Sequence, residues 1–210
     1  MLQPFPRETT LEAGGNAKGV AVAIVTDNRD DSGQGRIKVR FPWYEDPESS
    51  HWARVVTPMA GARRGIYFIP EIDDEVLVAF ERGDMRFPYI VGGLWSGRDP
   101  APQTNADGKN DIRMIETRKG HKVTFNDGSK GLIRVELNDG KSFEITDDHI
   151  EIKDTGGNSV TMDSRGGKIT VVAATKLELQ APQVEVAASA TMKLSAGTML
   201  TIESAMVKIN

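Results

Sequence analysis

The side chains of this 210-residue sequence that could do chemistry are few and scattered. His51, His121 and His149 could act as metal ligands or as acid-base groups near neutral pH, but they fall in three different segments without a His-x-x-x-His or His-Glu-x-x-His spacing. They read as ordinary surface histidines. Asp73-Asp74-Glu75 could form a carboxylate cluster, yet adjacent residues of a strand point to opposite faces, so the run reads as a solvated turn opening a strand. Asp27 to Asp31 fails the calcium-loop pattern because Arg29 stands third, where an oxygen ligand belongs, and a β-turn is expected there. Arg82-Gly83-Asp84 is likewise expected to be a turn. The absence of cysteine excludes disulfides, thiolate catalysis and zinc ribbons, and no Gly-x-Ser-x-Gly or glycine-rich phosphate loop occurs. The expectation is a protein that is not an enzyme, with no catalytic residue, cofactor or metal.

Charge narrows the partners. The chain carries 26 basic and 30 acidic side chains, and no part of it is a basic module: residues 1–97 hold 11 against 14, residues 98–167 hold 11 against 13, and residues 168–210 hold 4 against 3. Counterion release therefore offers little drive toward nucleic acid, and no polybasic patch exists for an anionic membrane surface. The N-terminus lacks an apolar signal-peptide core, and no run approaches the roughly 18 apolar residues of a membrane span. Synthesis in the cytoplasm without a signal peptide is expected.

The elements that would position any site are strands. Residues 1–17 read as an extended N-terminal arm. From residue 18 to 95, alternation at Val20/Val22/Ile24 and Ile37/Val39/Phe41, with further strands at 52–57, 65–69, 75–81 and 87–92, predicts a small closed Greek-key barrel of the OB type. Ten of the 13 aromatics lie between Phe41 and Trp95, which gives this segment a core of its own. Residues 96–111 read as a linker, and 112–167 as β-hairpins forming a neck, with Asn126-Asp127-Gly128, Asn138-Asp139-Gly140 and Gly156-Gly157-Asn158 supplying the turns.

Residues 168–210 carry a repeat of apolar pairs two residues apart: Ile169/Val171, Leu177/Leu179, Val184/Val186, Met192/Leu194, Leu200/Ile202 and Val207/Ile209, spaced seven or eight residues from pair to pair. A fixed period marks a stacked solenoid. A repeat this short makes one side and a corner, whereas a single-chain coil enclosing its own core needs roughly 18 residues per turn. The simplest closure is a homotrimer in which each chain passes to the next side of a triangular prism, an intertwined triple-stranded β-helix. The ten pair residues from Ile169 to Ile202 then form the trimer core. No aromatic follows Phe143, as crowding at a threefold axis requires. The fold class is therefore all-β.

Gly65-Ile-Tyr-Phe-Ile-Pro-Glu-Ile-Asp-Asp-Glu-Val-Leu-Val-Ala-Phe-Glu-Arg-Gly-Asp84, continuing to Trp95, together with Gly35-Arg-Ile-Lys-Val-Arg-Phe-Pro-Trp43 and Trp52-Ala53-Arg54-Val55, resembles the central spike proteins of contractile injection systems. These include phage baseplate assembly protein V and the OB and needle portion of VgrG proteins. The resemblance implies a spike at the baseplate tip of a phage tail or phage-tail-like particle, docking on a hub and piercing the target envelope, with transient membrane contact. VgrG proteins carry a hub domain ahead of the barrel, so the hub is expected on a separate protein or a removed segment. The 16-residue linker is too short for an inserted lysozyme. The exposed end of the rod predicts a tip protein, a PAAR-like cone by resemblance, bound through Met206, Val207, Ile209 and Asn210. The competing expectation is a trimeric OB-fold module on a β-stalk that binds oligosaccharide or nucleic acid.

Overall fold

A computed structural model of the chain describes residues 19–44 and 50–209. The arm at 1–17 and Asn210 lie outside the described residues. The chain divides into two compact units between Gly108 and Lys109, inside the segment expected to be a linker. It is all-β: among the described residues the one helical element is a 3₁₀ turn at Glu81–Gly83, and no helix is long and apolar enough to cross a membrane.

The first unit holds β1 (Val20–Asp27), β2 (Lys38–Arg40), β3 (Arg54–Val55), the small hairpin of β4 (Ala60–Gly61) and β5 (Arg64–Gly65), then β6 (Glu75–Phe80) and β7 (Pro88–Gly93). Five strands run in the order β2-β1-β6-β7-β3, antiparallel except where β3 meets β7. An antiparallel bridge between Ile37 and Ala53, with backbone bonds of 3.0 and 2.7 Å, joins the two ends of that order. The sheet thus closes on itself, and the Greek-key OB barrel expected from the sequence is the observed fold.

On one face of β1 Val20 is exposed and Val22 half-buried, while Ile24 is buried outside the main core cluster. Alternation puts Ala21, Ala23 and Val25 inside, where they pack with Ile37, Val39, Ala53, Val76, Val78, Phe80 and Ile90. A five-stranded barrel is too narrow for large side chains from every strand, so alanines on β1 leave room for Phe80 and Ile90. Of the strand expected at 65–69 only Gly65 lies in β5; the Ile66 N–H still donates to the Met59 carbonyl at 3.0 Å, and beyond it Tyr67 and Phe68 are exposed.

The second unit is an antiparallel meander of seven strands: β8 (Ile112–Glu116), β9 (Lys122–Asn126), β10 (Leu132–Glu136), β11 (Ser142–Thr146), β12 (His149–Lys153), β13 (Ser159–Asp163) and β14 (Lys168–Val172), paired in sequence order. Its turns use the residues the sequence offered. Gly140 (φ 92°) and Gly157 (φ 89°) take left-handed conformations that side chains with a Cβ rarely adopt. No strand is formed from residue 173 to 209, and nearly all of that segment is exposed.

Candidate functional site

Cross-strand register fixes which side chains of the meander share a face. Ile115, Val123, Val135, Phe143, Ile152, Val160 and Val171 are successive direct partners across all seven strands and make one column. Arg113, Phe125, Ile133, Ile145, Ile150, Met162 and Ile169 make a second. Seven strands giving two positions each make fourteen, and thirteen of these are apolar. Seven strands spaced about 4.8 Å apart carry this stripe over roughly 29 Å.

Among the described residues, no strand packs over the stripe, and only the segment from Ala173 to Leu177 flanks it, lining an open groove with Val135, Phe143, Ile152, Val160 and Val171. Phe143 is 38% exposed, Ile152 55% and Ile169 67%. The opposite face is polar and yet better covered, because long charged side chains lie across it. Ser142, the neighbour of Phe143 on that face, is only 7% exposed. Arg134 pairs with Glu136 at 2.7 Å and Glu144 at 3.3 Å, His149 approaches Glu144 at 3.3 Å, and Lys153 meets Glu151 at 2.8 Å. The Lys153 ammonium holds the Glu151 carboxyl below its ordinary range. The polar face is finished against water; the apolar face is the surface that lacks a partner.

Of the residues expected in the trimer core, Ile169 and Val171 lie on β14 at the end of the stripe. Leu177 is exposed but lines one groove with Val135, Phe143, Ile152, Val160 and Val171. Leu179, Val184, Val186, Met192, Leu194, Leu200 and Ile202 follow in the strand-free segment, all exposed. The same holds for Met206, Val207 and Ile209. Earlier members of the stripe, from Val123 to Met162, were legible as strand residues but not as part of the same face, and Ile115 on β8 was not read as a strand residue. The signal was present, since Val123/Phe125, Ile133/Val135, Phe143/Ile145, Ile150/Ile152 and Val160/Met162 are also pairs two residues apart.

The scattered ionisable residues serve turns. Asp30 accepts Arg36 Nε at 2.8 Å, Ser32 Oγ at 2.7 Å and two or more backbone N–H groups, and the Arg36 guanidinium chiefly holds its carboxyl well below the usual range. This organises the loop read as a turn at Asp27 to Asp31. Asp74 Oδ2 accepts the Glu71 N–H at 2.8 Å, so Asp73-Asp74-Glu75 is also a turn, with Asp73 at φ 73°. Arg82 sits at φ 53° in the 3₁₀ turn. Asp84 is held down to about 2, chiefly by Arg86. His51 is exposed, His121 Nδ1 accepts the Asn138 N–H at 3.2 Å, and His149 Nδ1 lies 3.1 Å from Thr146 Oγ1. Among the described residues no group of three or more His, Cys, Asp or Glu is placed to hold a metal ion.

The chain thus joins a closed OB barrel to an all-β unit with one charge-paired polar face and one exposed apolar face. Comparison with known proteins shows what it resembles. Residues 21–95 match the Type VI secretion system/phage-baseplate injector OB domain. The chain is similar to the Type VI secretion system spike protein VgrG3 of Vibrio cholerae, at 33% identity over 56% of this chain and 12% of that protein. It is also similar to the V. cholerae protein named actin cross-linking toxin VgrG1, at 31% over 62% of this chain and 13% of that one. A third relative, the Pseudomonas aeruginosa spike protein VgrG4b, is 35% identical over 43% of this chain and 14% of its own length. The chain thus spans about an eighth of the curated relatives it matches. Residues 21–95 thus match an injector OB domain, and the chain is similar to VgrG spike proteins, as the barrel motifs implied.

Proposed function

We propose that this chain forms, with two further copies, the non-enzymatic central spike of a contractile injection apparatus, whose barrels dock on the baseplate hub and whose rod is driven through the target envelope. The observation that carries the reading is the exposed two-column stripe in a chain whose barrel matches an injector OB domain. Three such sheets, stripes inward, close a prism with a dry core and three charged outer faces. In-chain turn chemistry ends at Gly166-Gly167, before β14. Beyond Val172 the connections are alanine- and proline-containing, and we place the passage to intertwined, between-chain pairing there. Asn158 Oδ1 accepts the Ala174 N–H at 2.9 Å, and Asp154 in turn accepts from Asn158 Nδ2 at 2.6 Å, which anchors the chain at that point.

Ladders shared among three chains resist bending, because no chain can leave the core without exposing two others. Met206, Val207 and Ile209 are 80%, 53% and 90% exposed and offer an apolar surface to a PAAR-like tip protein. The test is delivery by an intact machine whose full-length spike carries Phe143→Asp. Loss of delivery with a folded barrel is expected; normal delivery would contradict the proposal.

One observation favours the competing reading of an OB module that binds an anionic polymer: the Arg36 guanidinium and the Lys38 ammonium both lie over the Trp52 ring, at 5.6 and 5.0 Å from its centroid. Arg36 is already committed to Asp30. Binding of single-stranded oligonucleotide or acidic oligosaccharide at moderate salt, lost in Trp52→Ala, would support that reading.

A further inference from the structure

Eleven of the thirteen apolar side chains along the stripe are Val, Ile or Met, and valine occupies four of the seven places in one column; Phe125 on β9 and Phe143 on β11 are the two large ones. Such a surface specifies a face more strongly than a height. A copy displaced by two strands along the rod would still set apolar side chains against apolar side chains everywhere except at Arg113.

One position breaks the pattern. Arg113 opens the second column on β8, directly opposite Phe125. Its guanidinium reaches Asp127, which stands two residues after Phe125 and so at the same side of its strand. The Asp127 N–H is held by the Asp111 carbonyl at 2.9 Å, so the hairpin mouth fixes the backbone beneath the pair. Arg113 and Asp127 remain 55% and 67% exposed. The one in-chain contact leaves most of the guanidinium's five donors and the carboxylate's acceptor sites free.

We propose that Arg113 and Asp127 are the register-setting pair of the trimer, each Arg113 reaching Asp127 of the next copy as well as its own and closing a ring of alternating charge at the β8 end of the core. The inference rests on the trimeric reading above. Any axial slip takes this pair off its counterparts and sets two charges against apolar side chains, which is unfavourable where the level copy is satisfied. Polar groups in an otherwise apolar interface act in this way when they fix register.

The experiment mixes two differently tagged variants of the full chain. Arg113→Glu leaves only negative charge at the site, and Asp127→Lys leaves only positive charge. Chance assembly of equal amounts gives about three quarters mixed trimers, whereas pairing between copies raises the mixed fraction above about nine-tenths by native mass measurement. Mixing at the chance proportion would overturn the proposal, because a pair acting only within each chain gives no preference. A monomeric wild type would instead defeat the trimer reading itself.

Should either variant fail to fold, Arg113→Leu with Asp127→Leu provides a second test. The chain has no native cysteine, so Ile150→Cys gives one thiol per copy on the stripe. Disulfide capture between copies is expected in the wild-type background and to fall several-fold in the double-leucine background as heights scatter. Equal capture in both would also overturn the proposal.

Discussion

Replacing Ile152 with alanine probes the stripe near its middle. Ile152 is 55% exposed in the single chain. Burying that fraction removes on the order of 100 Å² from water, about 2.5 kcal/mol per copy, of which alanine retains about a third. The loss is about 5 kcal/mol for a trimer, roughly 4000-fold in the dissociation constant. Because three chains make one trimer, the concentration midpoint follows the square root, a shift of about 60-fold. Lys153→Ala is the control. It lies one residue on, faces the other way, and gives up an exposed contact with Glu151 at 2.8 Å; that contact is made within one chain in monomer and trimer alike, so it cancels and the midpoint should move less than about threefold. Sedimentation equilibrium over a dilution series reads both. Equal shifts, or none for Ile152→Ala, would refute the inward assignment of this face.

Three further outcomes are expected. In the strand-free segment, Leu194→Asp should prevent trimer formation by gathering three carboxylates, while Lys193→Asp should leave the mass unchanged, both by light scattering. Gly65→Ala should destabilise the barrel by about 1–3 kcal/mol in a denaturant melt, since a Cβ there would lie 2.6 Å from the Met59 carbonyl oxygen. Asp84, held at about 2 by Arg86, and Asp30, held low by Arg36, have folded-state pKa values below their unfolded ones. Their contribution is therefore complete above the ordinary carboxylate value of about 3.9 and is lost as pH falls from there toward about 2. Denaturant midpoints should fall in that window and fall less in Asp84→Asn; an unchanged acid profile in that variant would contradict the assignment.

The barrel was legible because its chemistry is local. Glycines, prolines and aromatics mark the strand ends, and the segment from Gly65 to Trp95 carries a recognisable motif. Which face of β1 lines the main core was not legible from bulk alone: Ala21 and Ala23 join the core cluster with Val25, whereas the larger Val20 is exposed and Val22 half-buried. That choice depends on Phe80 and Ile90, distant in sequence. The shaft shows the opposite case. Its alternation and turns gave the strands from β9 to β13 but not β8, and the apolar pairs before Ile169 belong to the same face as Ile169 and Val171. Longer turn-bearing connections masked the repeat, with pairs at 123, 133, 143, 150 and 160 spaced ten, ten, seven and ten residues apart. Only the cross-strand register makes the columns continuous.

The central claim is that the stripe on β8 to β14 is closed by two other copies of the chain. Its most direct test is the absolute mass in solution by light scattering with sedimentation. A trimer is expected at three times 22.9 kDa, persisting on dilution; a monomer at concentrations far above the working range would contradict the account.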